Sequence, residues 1–346
     1  MNILVTGGAG YIGSHVVKQL LETTNYSIIV LDNLSTGSKK TLDTLQKIRD
    51  FQFVQLDLNK FDKVAAILKE KRIDTILHFA ASIVVPESVE NPLKYYTNNT
   101  LNTTNLITCA VKNGVKKFIF SSTAAVYGEP KELPMNGIDE EFPTSPINPY
   151  GMSKLMSENI LRDTIIAHPE FSFVIFRYFN VAGADIHYVD NHLRPRIGQS
   201  FPNATHLIKI ASECACGKRE KMAIFGNDFD TKDGTGIRDY IHVDDLADAH
   251  IKAIEYLEHN PSDIFNVGYG KGYSVKEVIE TMQKVTEVKF VVNKVPRRAG
   301  DPAKLISNNT KIKNNMNWKP KYNNIELICS SAFNWESIDK LNINKG

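Results

Sequence analysis

Residues 6–15 read TGGAGYIGSH, and this stretch decides the fold. Just before it, ILV at 3–5 is a short apolar run of the kind that forms a strand buried on both faces. Gly8, Gly10 and Gly13 keep a G-x-G-x-x-G spacing, and Gly7 adds a tighter turn. An apolar helical segment follows from Ile12 to Leu21, and a second strand, SIIVL at 27–31, ends at Asp32, 19 positions beyond Gly13. Glycine lets the backbone turn sharply and approach a pyrophosphate, whose charge is favoured at a helix N-terminus. An acid about 20 residues on is placed to bind the adenosine ribose. Its carboxylate would repel a 2′-phosphate, so the expected cofactor is NAD rather than NADP.

Working outward, strand and helix patterns alternate through the first half. FVQL at 53–56 ends in Asp57, a helix is predicted near 61–71, and TILHF at 75–79 reads as a strand. A long helix is predicted from about Pro92 to Asn113, stopped by Gly114. KFIFS at 117–121 and FVIFRY at 173–178 are further strands. This rhythm predicts an α/β protein with a doubly wound parallel sheet that binds ligands at the strand C-termini. After about residue 180 the rhythm weakens: helices are predicted at 206–216, 244–259 and 274–286, short strands at 264–267 and 289–293, and long loops at 183–205 and 226–240. Long loops in compact domains are more often functional. The expected division is a dinucleotide-binding domain over 1–180 and a smaller, mainly substrate-binding α/β region over 181–346, some of whose segments return to the first domain.

The chain has 346 residues and a nearly balanced charge of +2, with no long like-charge run. Nothing in that balance supports nucleic acid or an anionic membrane as partner. No apolar stretch reaches the roughly 18 residues of a membrane span, and cleavage of a targeting peptide would destroy the strand at residue 3. Four cysteines in a chain of this size do not suggest a disulfide framework. Cys214 and Cys216 are two apart on a predicted helix, with no further ligands nearby for a metal. All four are expected to be reduced, in the cytoplasm.

A second motif, PYGMSK at 149–154, places Tyr150 and Lys154 four residues apart, on one face of a helix. A free tyrosine, with a pKa of about 10, is a poor base at neutral pH. A nearby positive charge favours the phenolate and brings it toward a working range.

With both motifs in one chain, the sequence resembles the extended short-chain dehydrogenase/reductases of Rossmann fold. Among them it is most similar to the UDP-glucose 4-epimerases and UDP-N-acetylglucosamine 4-epimerases. The resemblance also runs through LDNLSTGS at 31–38, HFAAS at 78–82, ESVENPLKYYTNN at 87–99, FSSTAAVYGEP at 120–130, RYFNVAGA at 177–184, AIFGNDFDTKDGTGIRDYIHVDDLADAH at 223–250 and PRRAGDP at 296–302. It implies Tyr150 as the base for the sugar 4-hydroxyl. It implies Lys154 as the residue that binds the nicotinamide ribose and lowers the tyrosine pKa, and Thr123 as a hydroxyl bonded to the same oxygen, where the family usually has serine. Implied cofactor contacts are Gly7, Gly10, Tyr11, Ile12, Gly13, Asp32, Asn33, Thr36, Asp57, Leu58, Phe79, Ala80, Ala81, Asn98, Ser121 and Tyr178, with Tyr150 and Lys154. Implied substrate contacts are Phe179, Asn180, His206, Leu207, Arg238, Arg298, Asp301 and Leu305, with Thr123 and Tyr150. Arg238 and Arg298 would clamp the diphosphate, a task suited to guanidinium forks.

Three positions depart from the pattern. Ile83 replaces a lysine that often reaches the cofactor, and His206 replaces an asparagine near the substrate. Leu305 replaces the tyrosine of glucose/galactose-restricted members, which implies room for an N-acetyl group. The resemblance further implies a UDP-sugar substrate, a place in galactose and carbohydrate metabolism, and a homodimer through the helices at 92–113 and 150–168. A nucleotide-sugar dehydratase would carry an Asp-Glu pair after Thr123, where this chain has Ala124 and Ala125. A reductase that releases NADH, or a non-catalytic dinucleotide sensor, stays open as an alternative.

Overall fold

The computed structural model describes residues 1–130, 132–201, 205–298 and 301–343, with side chains to residue 338. Ala299 and Gly300 of the PRRAGDP block lie outside the described residues. The first βαβ unit forms as its apolar pattern dictates. Strand β1 (Asn2–Thr6) leads through the glycine turn into a helix at Tyr11–Thr23 and then into β2 (Ser27–Asp32). Side chains alternate across a strand. Ile3 and Val5 therefore enter the core on one face of the sheet, with Val16, Val17 and Leu20 of that helix. Leu4 enters the core on the other face, with Leu106 and Phe118.

With β3 (Gln52–Gln55), β4 (Thr75–His78), β5 (Lys117–Thr123) and β6 (Ser172–Tyr178), these strands form a seven-stranded, all-parallel sheet. Its order is Asp263–Val267, β6, β5, β4, β1, β2, β3. The chain winds outward from β1 in one direction, then crosses to β4 and winds in the other. The winding therefore reverses between β1 and β4, and ligands of such sheets bind outside the strand C-termini at that switch point. Asp263–Val267 comes from late in the chain yet pairs in parallel with β6.

A second, smaller assembly covers the strand C-termini. Ile237–His242 is its central strand. It pairs antiparallel with Gly272–Ser274 and parallel with both Lys304–Leu305 and Asn180–Ala182. A separate pair joins Lys221–Phe225 to Val291–Val295. A helix at Ile325–Ile343 closes the chain.

Two expectations are corrected. The helix predicted from Pro92 to Asn113 is interrupted: α-helix at Pro92–Tyr95 and Asn102–Lys112 flanks a π-helical turn at Tyr96–Leu101. Tertiary bonds explain the interruption. Buried Asn99 donates to the carbonyl of Ser82 and to the Ser153 hydroxyl (both 3.0 Å), and Thr100 donates to the carbonyl of Ser153. π-turns often sit at functional sites, and this one carries Asn98. The loop predicted at 226–240 ends in the central strand Ile237–His242. Its charges hid it, because Asp239 is fully buried and accepts N–H bonds from Tyr269 and Gly270, both at 2.9 Å.

Candidate active site

One cleft of about 2230 Å³ opens over the C-terminal ends of the strands. Single-ligand pockets usually measure roughly 300–1,000 Å³, so this one has room for two nucleotides. Every residue named above as a cofactor or substrate contact lines it, and Ile83 lines it too. Gly8 alone of the glycine motif does not: a Cβ there would strike Val30, so it serves close packing of helix on sheet.

The cofactor half is shaped by backbone. Gly7 has φ +72°, and a Cβ on it would lie 2.6 Å from the Ala80 nitrogen. The turn after β1 therefore lies against the turn after β4 with no space for a side chain. Gly10 caps the Tyr11 helix without a side-chain bond, so the first N–H groups face the cleft. Asp32, at the end of β2, accepts from the N–H of Ala9 (3.0 Å) and of Leu34 (2.8 Å). Burial pushes its carboxyl upward, and those two N–H bonds oppose the shift. A carboxylate has about four acceptor sites, so two remain for a ribose. Asn33 donates to Asp57 (2.7 Å) and joins β2 to the turn after β3. These residues fit a dinucleotide.

At the next corner, Asn148 accepts from the Gly151 N–H (2.9 Å) and starts the helix Pro149–Ala167, with Pro149 in its first turn. A Cβ on Gly151 would lie 2.7 Å from the Ala125 carbonyl, so glycine lets the helix approach the end of β5. That approach brings Tyr150 near enough to Thr123 for the hydroxyl to lower the phenol's pKa, although burial is the larger effect and the net shift is upward. Lys154 is buried and donates to the Ser121 carbonyl (2.7 Å), its ammonium 4.9 Å from the Phe120 ring centroid. Burial pulls its pKa down to about 7, with Glu158 opposing.

The substrate half is shaped by side chains. Arg238 bonds Asp301 and the Ile237 carbonyl. Arg298 lies over the Phe225 ring at 3.6 Å. Leu305 is buried with Phe179, Tyr127 and Val126, in a wall that also borders the cleft. His206 caps the helix Leu207–Ala215, and its Nδ1 lies 3.0 Å from Gln199 Nε2. Tyr178 donates to His250 Nε2 (2.6 Å), because Nδ1 of that ring already donates to the Leu246 carbonyl.

A model of the NAD dependent epimerase/dehydratase family matches residues 3–268. The chain belongs to that family. It is 45% identical to the UDP-glucose 4-epimerase of Azospirillum brasilense over 96% of this chain and 91% of that one. Among solved structures it resembles the UDP-Glc/GlcNAc 4-epimerase of Campylobacter jejuni at 57% identity and TM-score 0.84, covering 97% of this chain and 99% of that one. It also resembles the UDP-glucose 4-epimerase of Bifidobacterium longum, in complex with NAD+ and UDP, at 37% identity and TM-score 0.91, covering 98% and 99%.

Within this family member, some residues at the site gave no signal in the sequence. Tyr95 meets the Tyr150 ring edge-on at 6.4 Å between centroids, and its hydroxyl is held by the Val84 N–H (2.9 Å) and the Glu87 carboxylate (2.8 Å). Glu158 sits one helical turn after Lys154, and Ser122 donates to it. It forms a buried ion pair with Arg177 at 2.7 Å. The arginine that neutralises Glu158 comes from another element, β6, so no local spacing discloses the pair.

Proposed function

We propose that this chain is a UDP-hexose 4-epimerase that uses NAD. The observation that carries the reading is one cleft joining a dinucleotide cradle, the Thr123–Tyr150 pair and the cationic wall of Arg238 and Arg298. Similarity to named UDP-glucose 4-epimerases over nearly the whole chain supports it.

In this reading residues 1–180 mainly hold the cofactor and 181–346 mainly the UDP-sugar. Tyr150 takes the proton of the sugar 4-hydroxyl and returns it later, with Thr123 bonded to the same oxygen. Lys154 and Asp32 hold the two riboses of NAD. Bound NAD supplies a reversible hydride acceptor and a positive charge that favours the phenolate. The 4-keto sugar turns over in the cleft while Arg238 and Arg298 retain its diphosphate, so that hydride would return to the opposite face of C4 while Tyr150 gives its proton back to the 4-oxygen. Retention of a reactive ketone and its placement against one base are the protein's main contributions.

Leu305 favours acceptance of N-acetylated sugars besides glucose and galactose. A homodimer through the helices around 92–113 and 150–168 is supported by Leu93 and Ile166, which are 76% and 80% exposed although apolar. Four cysteines without disulfides suit a cytoplasmic protein. No helix among the described residues is long and apolar enough to cross a membrane.

Incubation of pure protein with UDP-galactose, and separately with UDP-N-acetylglucosamine, tests the proposal. The expected products are UDP-glucose and UDP-N-acetylgalactosamine, with no net consumption of NAD. Stoichiometric use of added NAD would replace this reading by a reductase, and NAD binding without turnover by a sensor.

A further inference from the structure

The segment from Gly183 to Cys216 borders the substrate half, and among its described residues before Leu207 the regular structure is the short strand pair Tyr188–Val189 and His192–Leu193. The C-terminal helix Ile325–Ile343 holds it instead. Ser331 accepts the Ala184 N–H (3.1 Å), Asn334 donates to the Leu193 carbonyl (3.0 Å), and Glu336 pairs with buried Lys209. At the centre lies Trp335. A Cβ on Gly198 would come within 2.5 Å of the indole, so the ring lies directly on that backbone. The indole N–H donates to the Gln199 carbonyl (3.3 Å).

Gln199 is itself buried, and its side-chain amide donates to His206 Nδ1. An imidazole that accepts at Nδ1 carries its proton on Nε2. Burial pulls the pKa of His206 down, which keeps that neutral form. Nε2 has no partner among the described residues, and His206 lines the cleft as the cap of a helix whose first residue, Leu207, lines it too. A donor at a helix N-terminus matches an anion.

We propose that Gln199 and Trp335 are positioning residues for the diphosphate of the UDP-sugar. The C-terminal helix fixes Gly198–Gln199 through Trp335, and Gln199 sets the orientation and tautomer of His206, which offers Nε2–H to a phosphate oxygen. The proposal rests on the epimerase reading above.

The test uses the full chain with Gln199→Leu, Gln199→Glu, Trp335→Phe and Trp335→Ala. It measures Kd for UDP by calorimetry, KM and kcat for UDP-galactose, and NAD content. Gln199→Leu and Trp335→Ala should raise both Kd and KM about fivefold, the weight of one hydrogen bond. Their kcat and NAD content should stay within about twofold of wild type. Trp335→Phe keeps a ring on Gly198 and should fall between wild type and Trp335→Ala. Gln199→Glu turns the bond around, since a carboxylate accepts from Nδ1–H and leaves Nε2 a donor only while the ring is protonated. Its KM should therefore rise with pH while the wild-type KM stays flat, a signature that general loosening would not give. Unchanged Kd in Gln199→Leu, a flat KM profile in Gln199→Glu, or losses of NAD and kcat in step with KM would overturn the proposal. A wild-type chain that binds no UDP would instead overturn the epimerase reading.

Discussion

Around the glycine turn the cleft is walled by main chain: Gly7 lies against Ala80, and the Ala9 and Leu34 N–H groups hold Asp32. Around Arg238 and Arg298 it is walled by side chains that hold one another, Arg238 by Asp301, Arg298 by Phe225 and His206 by Gln199. The first kind of wall is fixed as soon as the sheet forms. The second depends on partners from distant parts of the chain. A substitution in the first half should therefore abolish or spare a function, whereas one in the second should grade affinity or change preference.

The largest effect is expected where the two halves meet. Tyr150→Phe keeps the ring that packs edge-on to Tyr95 and removes only the hydroxyl. Turnover should fall about 10²- to 10⁴-fold, the usual weight of a general base. Both NAD content and KM should stay close to wild type. Turnover near wild type would remove Tyr150 from the proton path and leave the two halves without a shared group.

Next comes the cofactor half. Asp32→Ala should weaken NAD binding about 10- to 150-fold, from the loss of a charge-assisted bond worth ~1.5–3 kcal/mol. It should also narrow the preference over NADP, and fluorescence titration of both cofactors measures each. UDP affinity should not change, since Asp32 sits in the backbone-built half. A parallel loss of UDP binding would show that the halves are not separable.

These differences also explain what the sequence discloses. The glycine motif, Asp32 and the Tyr150–Lys154 helix are local: spacing alone discloses each of them, and Gly7, Gly10, Gly13, Asp32, Tyr150 and Lys154 all line one cleft. The π-turn at Tyr96–Leu101 is decided by Ser82 and Ser153, which are distant in sequence, so helical periodicity missed it. The central strand Ile237–His242 reads as a polar loop because Asp239 finds its donors only in the folded protein. The grip of Trp335 on Gly198 spans more than 130 residues and leaves no pattern in either segment.

Acid should strike both halves. His78 in β4 lies between the Thr6 and Thr103 hydroxyls, His242 ends the central strand, and His250 meets Tyr178. All three are fully buried, and burial pushes His78 down to about 3 and the other two down to about 4. In the unfolded chain they protonate near 6.5. Their contribution to stability is therefore intact above about pH 6.5 and is lost as pH falls from there toward 4. Each contributes up to ~1.4 kcal/mol per pH unit, about tenfold in the folding equilibrium. Urea unfolding at pH 7.5 and 5.5 should show the loss, and equal stability at both would contradict neutral buried rings.

The smallest effect expected is a change of preference in the side-chain half. Leu305 packs with Phe179, Tyr127, Val126 and Ile138, so the pocket wall at this point is full behind the leucine. Tyrosine cannot be absorbed there, because added volume in a packed cluster costs about 1–3 kcal/mol. The ring's cheaper course is to turn into the cleft, where it would occupy space needed by an acetamido group. Leu305→Tyr should then lower kcat/KM for UDP-N-acetylglucosamine about tenfold relative to UDP-galactose, within the range a pocket usually gains or loses by a change in volume. NAD content should not move, since this wall is remote from the backbone-built half. Competition between the two substrates in one reaction reads the ratio directly, free of differences in active fraction. An unchanged ratio would mean that the acetamido group is housed elsewhere in the cleft, and a fall in both activities together would mean that the wall had collapsed rather than turned.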